Sequence, residues 1–204
     1  MKLDIIIVGV GGQGILTCSM IVAKAAMNAN LNVITSEVHG MAQRGGSVEV
    51  HVRIGDVLSP LIPIGDADIM IALEPVEALR YAKYLNENSL VILNTRPVIP
   101  VTVTLGNANY PSIHEIVEKL KEITPKVVPV DASVIAEKLG SIQSTNIVIL
   151  GMLAKLAELP FNYEHLEQAI REILPPTTHD INLRAFKEGL NYIYNNKTIL
   201  SKNR

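Results

Sequence analysis

The residues most able to do chemistry lie in two glycine clusters. Gly9-Val10-Gly11-Gly12-Gln13-Gly14 sets Gly9, Gly11 and Gly14 in the spacing G-x-G-x-x-G. That spacing suits a phosphate: glycine reaches positive φ cheaply and its missing Cβ lets a ligand approach the backbone. A helix starting there would add unpaired N–H groups and partial positive charge. The same glycines also serve plain helix–strand packing, and spacing alone leaves both uses open. A Walker A loop is excluded, because Ile15 stands where that motif has Lys. The second cluster is Arg44-Gly45-Gly46. An arginine fork matches a carboxylate or other anion, and flanking glycines would let a ligand or a partner backbone come close. The competing reading is a local ion pair between Arg44 and Glu37. Glu37 also lies where a dinucleotide-binding fold wants an acid for a ribose hydroxyl. The glycine-punctuated stretch from Val38 to Gly46 does not continue as a βαβ unit, which weighs against NAD.

Other reactive side chains carry less. Cys18 falls on the apolar row of the helix after the first cluster and reads as a core thiol. His39, His51, His114, His165 and His179 include no i, i+4 pair of the kind that builds a helical zinc site. No G-x-S-x-G elbow is present. Glu115, Glu118, Lys119, Lys121 and Glu122 read as a solvated helix face. Tyr192 and Tyr194 read as packing residues, with a partner interface as their alternative use.

Composition narrows the class. The 204 residues are 48% hydrophobic and 19% charged, with a net charge of -2. Mean hydropathy is +0.27. This is a core-forming chain rather than a disordered one. It lacks the basic excess of a nucleic-acid domain, and with no Trp and two Phe it lacks stacking platforms. One cysteine cannot hold an iron–sulfur cluster unaided. Ile5–Val8 is too short for a signal core or a membrane span, so a cytoplasmic protein without membrane association is expected.

The elements that would position the two clusters follow from periodicity. Leu3–Val8 is a β-branched run and predicts a strand buried on both faces. Ile15–Asn30 predicts a helix whose two apolar rows, including Leu16, Met20, Ala23 and Met27, imply burial round much of its circumference. Leu31–Thr35 completes a β-turn-α-β unit. In Ser47–Ile54 apolar residues alternate with Ser47, Glu49, His51 and Arg53, predicting a strand near an edge, antiparallel, with one wet or partner-facing side. Strands are expected at Asp68–Leu73, Leu90–Leu93 and Val127–Val130. Helices are expected at Val76–Leu85 with Pro75 in the first turn, Ile113–Ile123 and Val134–Leu139. Thr95–Pro111 reads as irregular. Asn146–Leu159, Tyr163–Leu174 and Asn182–Tyr194 then read as three consecutive helices. The expected fold is a Rossmann-like α/β three-layer sandwich, a mostly parallel sheet with helices on both faces. It would form one domain over residues 1–204, with a helical C-terminal section over about 144–195.

The two clusters together carry a resemblance. G-x-G-G-Q-G at Gly9–Gly14, followed by Ser36-Glu37-Val38-His39-Gly40-Met41-Ala42-Gln43-Arg44-Gly45-Gly46, resembles the small (gamma-type) subunit of 2-oxoacid:ferredoxin oxidoreductases. The His-Gly-Met-Ala-Gln form is similar to the beta subunits of the indolepyruvate branch. Ala72-Leu73-Glu74-Pro75, Glu77-Ala78-Leu79-Arg80 and Asn146 ahead of Gly151 add to it. The resemblance implies oxidative decarboxylation of a 2-oxoacid on thiamine diphosphate, with electrons passing through [4Fe-4S] clusters to ferredoxin and an acyl-CoA formed. It places thiamine diphosphate, Mg and the clusters on a large alpha subunit, and this chain, which has no Gly-Asp-Gly motif, would be the companion. The implied cofactor-contacting residues are Gly9, Gly11, Gly12, Gln13, Gly14, Arg44, Gly45 and Gly46, with no catalytic residue and no metal ligand of its own. The alternatives are a stand-alone CoA- or nucleotide-binding module and an NAD-dependent dehydrogenase.

Overall fold

The computed structural model describes residues 2–39 and 45–192. Six strands form one sheet: β1 (Lys2–Val10), β2 (Val33–His39), β3 (Ser47–Gly55), β4 (Ile69–Ala72), β5 (Leu90–Asn94) and β6 (Val127–Val130). Their order is β2-β3-β1-β4-β5-β6. β1, β4, β5 and β6 run parallel, while β3 is antiparallel to both of its neighbours.

Period-2 alternation sorts the strand side chains onto two faces. Ile5, Ile7, Val50, Val52, Ile71 and Ile92 pack under α1 (Ile15–Asn28), α5 (Ala132–Lys138), α6 (Thr145–Leu156), α7 (Tyr163–Ile173) and α8 (His179–Tyr192). Ile6, Val8, Met70, Ala72 and Leu93 pack under α2 (Pro75–Arg80) and α4 (Ile113–Lys121). The three-layer α/β architecture expected from the sequence is present. A short α3 (Val101–Thr104) lies inside the stretch read as irregular. The charged face of α4 is solvent-exposed, and Ile116, Val117 and Leu120 point inward.

Five expectations need correction: β2 spans Val33–His39 rather than Leu31–Thr35, and the helix expected over Val76–Leu85 divides into α2 and a 3-10 turn at Ala82–Tyr84. Leu16, Met20 and Met27 are exposed, so α1 buries one apolar row and not two. The last helix begins at His179 rather than Asn182; Tyr192 packs against the core, and Tyr194 lies outside the described residues. Finally, β3 is not at the edge and its polar side is not wet. It is inserted between β1 and β2, and Glu49, His51 and Arg53 are all buried. The segment from Asp56 to Ala67 folds back across that side and covers it. Arg53 Nη1 donates to the carbonyls of Ser59 and Leu61, both at 3.0 Å. His51 Nδ1 accepts from the Ile62 N–H at 3.2 Å.

α6 and α8 cross at a pair of glycines. A Cβ on Gly151 would strike the Phe186 carbonyl and lie 2.9 Å from Gly189 Cα; one on Gly189 would strike the Val148 carbonyl. The two backbones touch there, which only glycine permits.

Candidate functional site: the glycine turn and its cavity

The first glycine cluster joins β1 to α1, and each residue in it has a distinct task. Gly9 is buried, and a Cβ there would lie 2.7 Å from Gln13 Oε1 and 3.2 Å from both Ile15 Cδ1 and Leu73 Cβ. Its missing side chain serves packing. Gly12 has φ +105° with open space around it, so it is needed for its backbone angle alone. Gly14 has φ +78°, and a Cβ would sit 2.6 Å from Asn146 Nδ2. Gln13 works as a staple: its Oε1 accepts from Val10 N–H at 2.8 Å and its Nε2 donates to the Leu73 carbonyl at 2.9 Å. Both ends of that amide are therefore engaged within the chain. Gly11 joins the two clusters, its N–H donating to the Gly46 carbonyl at 2.8 Å and its carbonyl accepting from Gly45 N–H at 3.4 Å. Arg44 lies outside the described residues.

The turn opens into a cavity of about 770 Å³. It lies beyond the C-terminal ends of β1 and β4. From β1 the chain leaves toward β2 on one side of the sheet and reaches β4 on the other, and such a reversal is where open α/β sheets bind ligands. Gly12, Gln13, Gly14 and Thr17 form one wall. Ser141, Ser144, Thr145 and Asn146, at the start of α6, form the opposite wall. Neither α1 nor α6 has a side-chain cap or an acidic residue in its first turn. The start of α1 thus borders the space and favours an oxyanion there, whereas α6 runs on from a 3-10 turn at Ile142–Ser144, with the Thr145 N–H bonded to the Ile142 carbonyl. Arg96 stands on the rim, with its Nη1 donating to Glu137 Oε1 at 2.5 Å and its Nη2 to Glu137 Oε2 at 3.0 Å. Gly9, Gly11, Gly45 and Gly46 do not line this space; they shape the turn behind it.

Several cavity residues escaped sequence reasoning. Ser141, Ser144 and Thr145 form a Ser/Thr-rich run ahead of an apolar helix, which is a helix-start signal that could have pointed to them. Asn182 and Arg96 carried no such signal. Their roles depend on tertiary neighbours: Ser144 Oγ donates to Asn182 Oδ1 at 2.8 Å.

A second polar cluster lies on the buried side of β3. Asp4 and Arg53 form a buried bidentate pair at 2.7 and 3.0 Å. Burial holds the His51 imidazole below its ordinary range, against the pull of Glu49. Ser47 Oγ donates to Glu77 Oε2, and Tyr81 OH lies 2.7 Å from the same hydroxyl. Glu74 caps α2 through the Glu77 N–H at 3.0 Å and accepts from Tyr110 OH at 2.5 Å. Burial and that carboxylate raise the Tyr110 hydroxyl above its ordinary range. Glu74 and Glu77 are thereby engaged in structural bonds. Cys18 is fully buried, and burial pushes its thiol up to about 12. It is the core thiol expected. Among the described residues no group of three or more His, Cys, Asp or Glu is placed to hold a metal ion.

The register of the sheet bears on the dinucleotide reading. Glu37 pairs with Val50, and Val50 pairs with Ile7. At about 4.8 Å per strand, the Glu37 backbone stands roughly 10 Å from β1, level with a residue below the glycine turn. The inserted β3 displaces β2 from the position at which a ribose-binding acid would reach the turn.

The fold is a doubly wound α/β sheet with a cavity at its glycine turn, and comparison with known proteins gives its family. A family model described as pyruvate ferredoxin/flavodoxin oxidoreductase matches residues 4–192, and the chain belongs to that family. It is 62% identical over 191 residues to the indolepyruvate oxidoreductase subunit IorB of Archaeoglobus fulgidus, covering 94% of this chain and 95% of that one. Among solved structures, the gamma subunit of a keto/oxoacid ferredoxin oxidoreductase from Geobacter sulfurreducens shares the fold. Its TM-score is 0.67 at 22% identity, over 93% of this chain and 96% of that one. The 2-oxoglutarate:ferredoxin oxidoreductase of Magnetococcus marinus, solved with 2-oxoglutarate, coenzyme A and succinyl-CoA bound, matches with TM-score 0.70 at 22% identity. That match covers 93% of this chain and 30% of that one. No helix among the described residues is long and apolar enough to cross a membrane.

Proposed function

We propose that this chain is the small subunit of an indolepyruvate:ferredoxin oxidoreductase, and that it works docked to a large subunit in the cytoplasm. Its 62% identity to a subunit of that name, over nearly the whole of both chains, supports the choice of aryl 2-oxoacid. On this reading the large subunit holds thiamine diphosphate, Mg and the [4Fe-4S] clusters. Thiamine diphosphate supplies carbanion stabilisation for the loss of CO2. Electrons pass to ferredoxin, and the acyl group passes to coenzyme A.

The contribution of this chain is the cavity at the glycine turn, and that observation carries the proposal. We assign it to the phosphate-bearing end of coenzyme A. The N-terminus of α1, which has no side-chain cap and no acidic residue in its first turn, borders the space. Gly12 leaves open space beside the turn backbone, while Gly14 makes room for Asn146, and Arg96 at the rim is paired with Glu137. Gly9, Gly11, Gly45 and Gly46 hold the turn in shape from behind. A stand-alone coenzyme A module would use the same cavity; the near full-length identity to an oxidoreductase subunit favours the complex.

The test is co-expression with a large thiamine-binding subunit under oxygen-free, reducing conditions. The two chains should elute together. Indolepyruvate-dependent reduction of ferredoxin should require both chains and coenzyme A. Separate elution, or full activity from the large subunit alone, would end the proposal.

A further inference from the structure

The charge of the cavity rests on one side chain whose partners lie outside it. Among the described residues that line the space, Arg96 alone is ionisable and none is acidic. Arg96 follows β5 by two residues, at the carboxyl end of the parallel strands. Its partners are two carboxylates that do not line the space. Nη1 and Nη2 donate to the two oxygens of Glu137 on α5, and Nε lies 3.8 Å from Asp131 Oδ1. Both edges of the guanidinium that could hold a phosphate bidentately therefore face an acid.

The two arginine–carboxylate pairs of Arg53 and Arg96 differ in how firmly they are set. Arg53 and Asp4 have side chains 7% and 0% exposed, and Arg53 also donates to the carbonyls of Ser59 and Leu61. That pair is part of the interior. Arg96 and Glu137 are 35% and 42% exposed. An ion pair so open to water is worth little, because solvent screens it and takes over its hydrogen bonds when it parts. The bonds from Arg96 hold the Glu137 carboxyl below its usual range, so the acid is charged at neutral pH. Asp131 Oδ1 already caps α5 through the Val134 N–H at 2.9 Å.

A phosphate in the cavity changes this balance. It carries more charge than one carboxylate, and it meets the N-terminal N–H groups of α1 at the same time. Away from bulk water its attraction for a guanidinium is screened less than that of the exposed Glu137. We propose that Arg96 is a two-position latch on this cavity, bound to Glu137 when the space is empty and turned to the ligand's phosphate when it is filled. Glu137 is then an internal competitor that lowers affinity for the oxyanion, and its carboxylate returns to water on binding. This inference rests on the coenzyme A reading above and deepens it, by naming the side chain that meets the oxyanion and the acid that competes for it.

The experiment titrates coenzyme A and ADP calorimetrically into the assembled two-subunit complex loaded with thiamine diphosphate. Glu137→Gln removes the competing charge and should tighten both probes about two- to fivefold. Arg96→Ala should weaken both about fivefold or more. In the Arg96→Ala background Glu137→Gln should change affinity by less than about 1.5-fold. Equal tightening with and without Arg96 would show that Glu137 acts through its field alone, and no tightening would show that Arg96 does not exchange partners; either result overturns the proposal. If Arg96→Ala does not assemble, Arg96→Gln replaces it in the cycle with the same expectations. If wild type binds coenzyme A and the cycle is flat, only this inference falls. If wild type binds neither probe, the coenzyme A reading falls with it.

Discussion

Replacing Gly12 and Gly14 separately by alanine should divide the glycine turn into its backbone and packing components. Both residues have positive φ, +105° and +78°. An alanine in that region costs about 1–2 kcal/mol. At Gly12 the added methyl meets nothing within 4 Å, so the cost should stop there. At Gly14 it would lie 2.6 Å from Asn146 Nδ2 and 3.2 Å from its Cγ. Asn146 must then move, and its bond to the Gly14 carbonyl goes with it, adding about 1 kcal/mol before any shift of α6. Gly14→Ala should therefore destabilise by about 3 kcal/mol against about 1.5 for Gly12→Ala. For a chain of this size each kcal/mol lowers the melting temperature by roughly 2–4 °C. Circular dichroism melts of the two variants should differ by about 3–6 °C. In an Asn146→Ala background the excess cost of Gly14→Ala should vanish, since the methyl then has room. Equal melting temperatures for the two variants, or the same penalty at Gly14 with and without Asn146, would show that the turn and α6 are not packed as described.

Gly151→Ala should be more damaging than either, because its methyl meets backbone on the facing helix and not a movable side chain; a loss of about 3 kcal/mol or more is expected in urea denaturation, and one below about 1 kcal/mol would refute the close crossing. His51 should give stability a pH dependence. Burial favours its neutral form in the folded chain, and Nδ1 must stay unprotonated to accept from Ile62. Below the ordinary value of 6.5 the unfolded chain therefore binds more protons than the folded one. Stability should be level above about pH 7 and fall as pH drops through 6.5. His51→Gln should flatten that limb in paired denaturation curves at pH 7.5 and 5.5, and an unchanged difference would remove His51 as its source.

Much of this fold was legible because apolar periodicity and glycine placement act locally. β1 and α1 followed from a β-branched run and an apolar row joined by a turn that needs positive φ. The parallel strands were recognisable as short runs buried on both faces. β3 was misjudged for a definite reason. Alternating Glu49, His51 and Arg53 look like a wet face, and only tertiary structure shows that Asp4 and the carbonyls of Ser59 and Leu61 neutralise Arg53 in the interior. Partners come from 49 residues upstream and from a loop just downstream, and no window along the chain contains both. The site divided similarly. Gly12 and Gly14 were readable as positive-φ turn positions, and they border the cavity. The opposite wall was not, because it becomes a wall only when α6 packs beside α1. Gln13 lines the cavity, and its amide also bonds Val10 N–H and the Leu73 carbonyl just past β4, a role that no window along the chain reveals.

The bond between Asn146 and Gly14 spans 132 residues. A ribosome adding 5–20 residues per second would take roughly 7–26 s to emit the second partner after the first. During that interval the nascent glycine turn exists without its facing wall. A prematurely terminated chain that folds its first strands would therefore carry the glycine turn without the wall that completes the cavity.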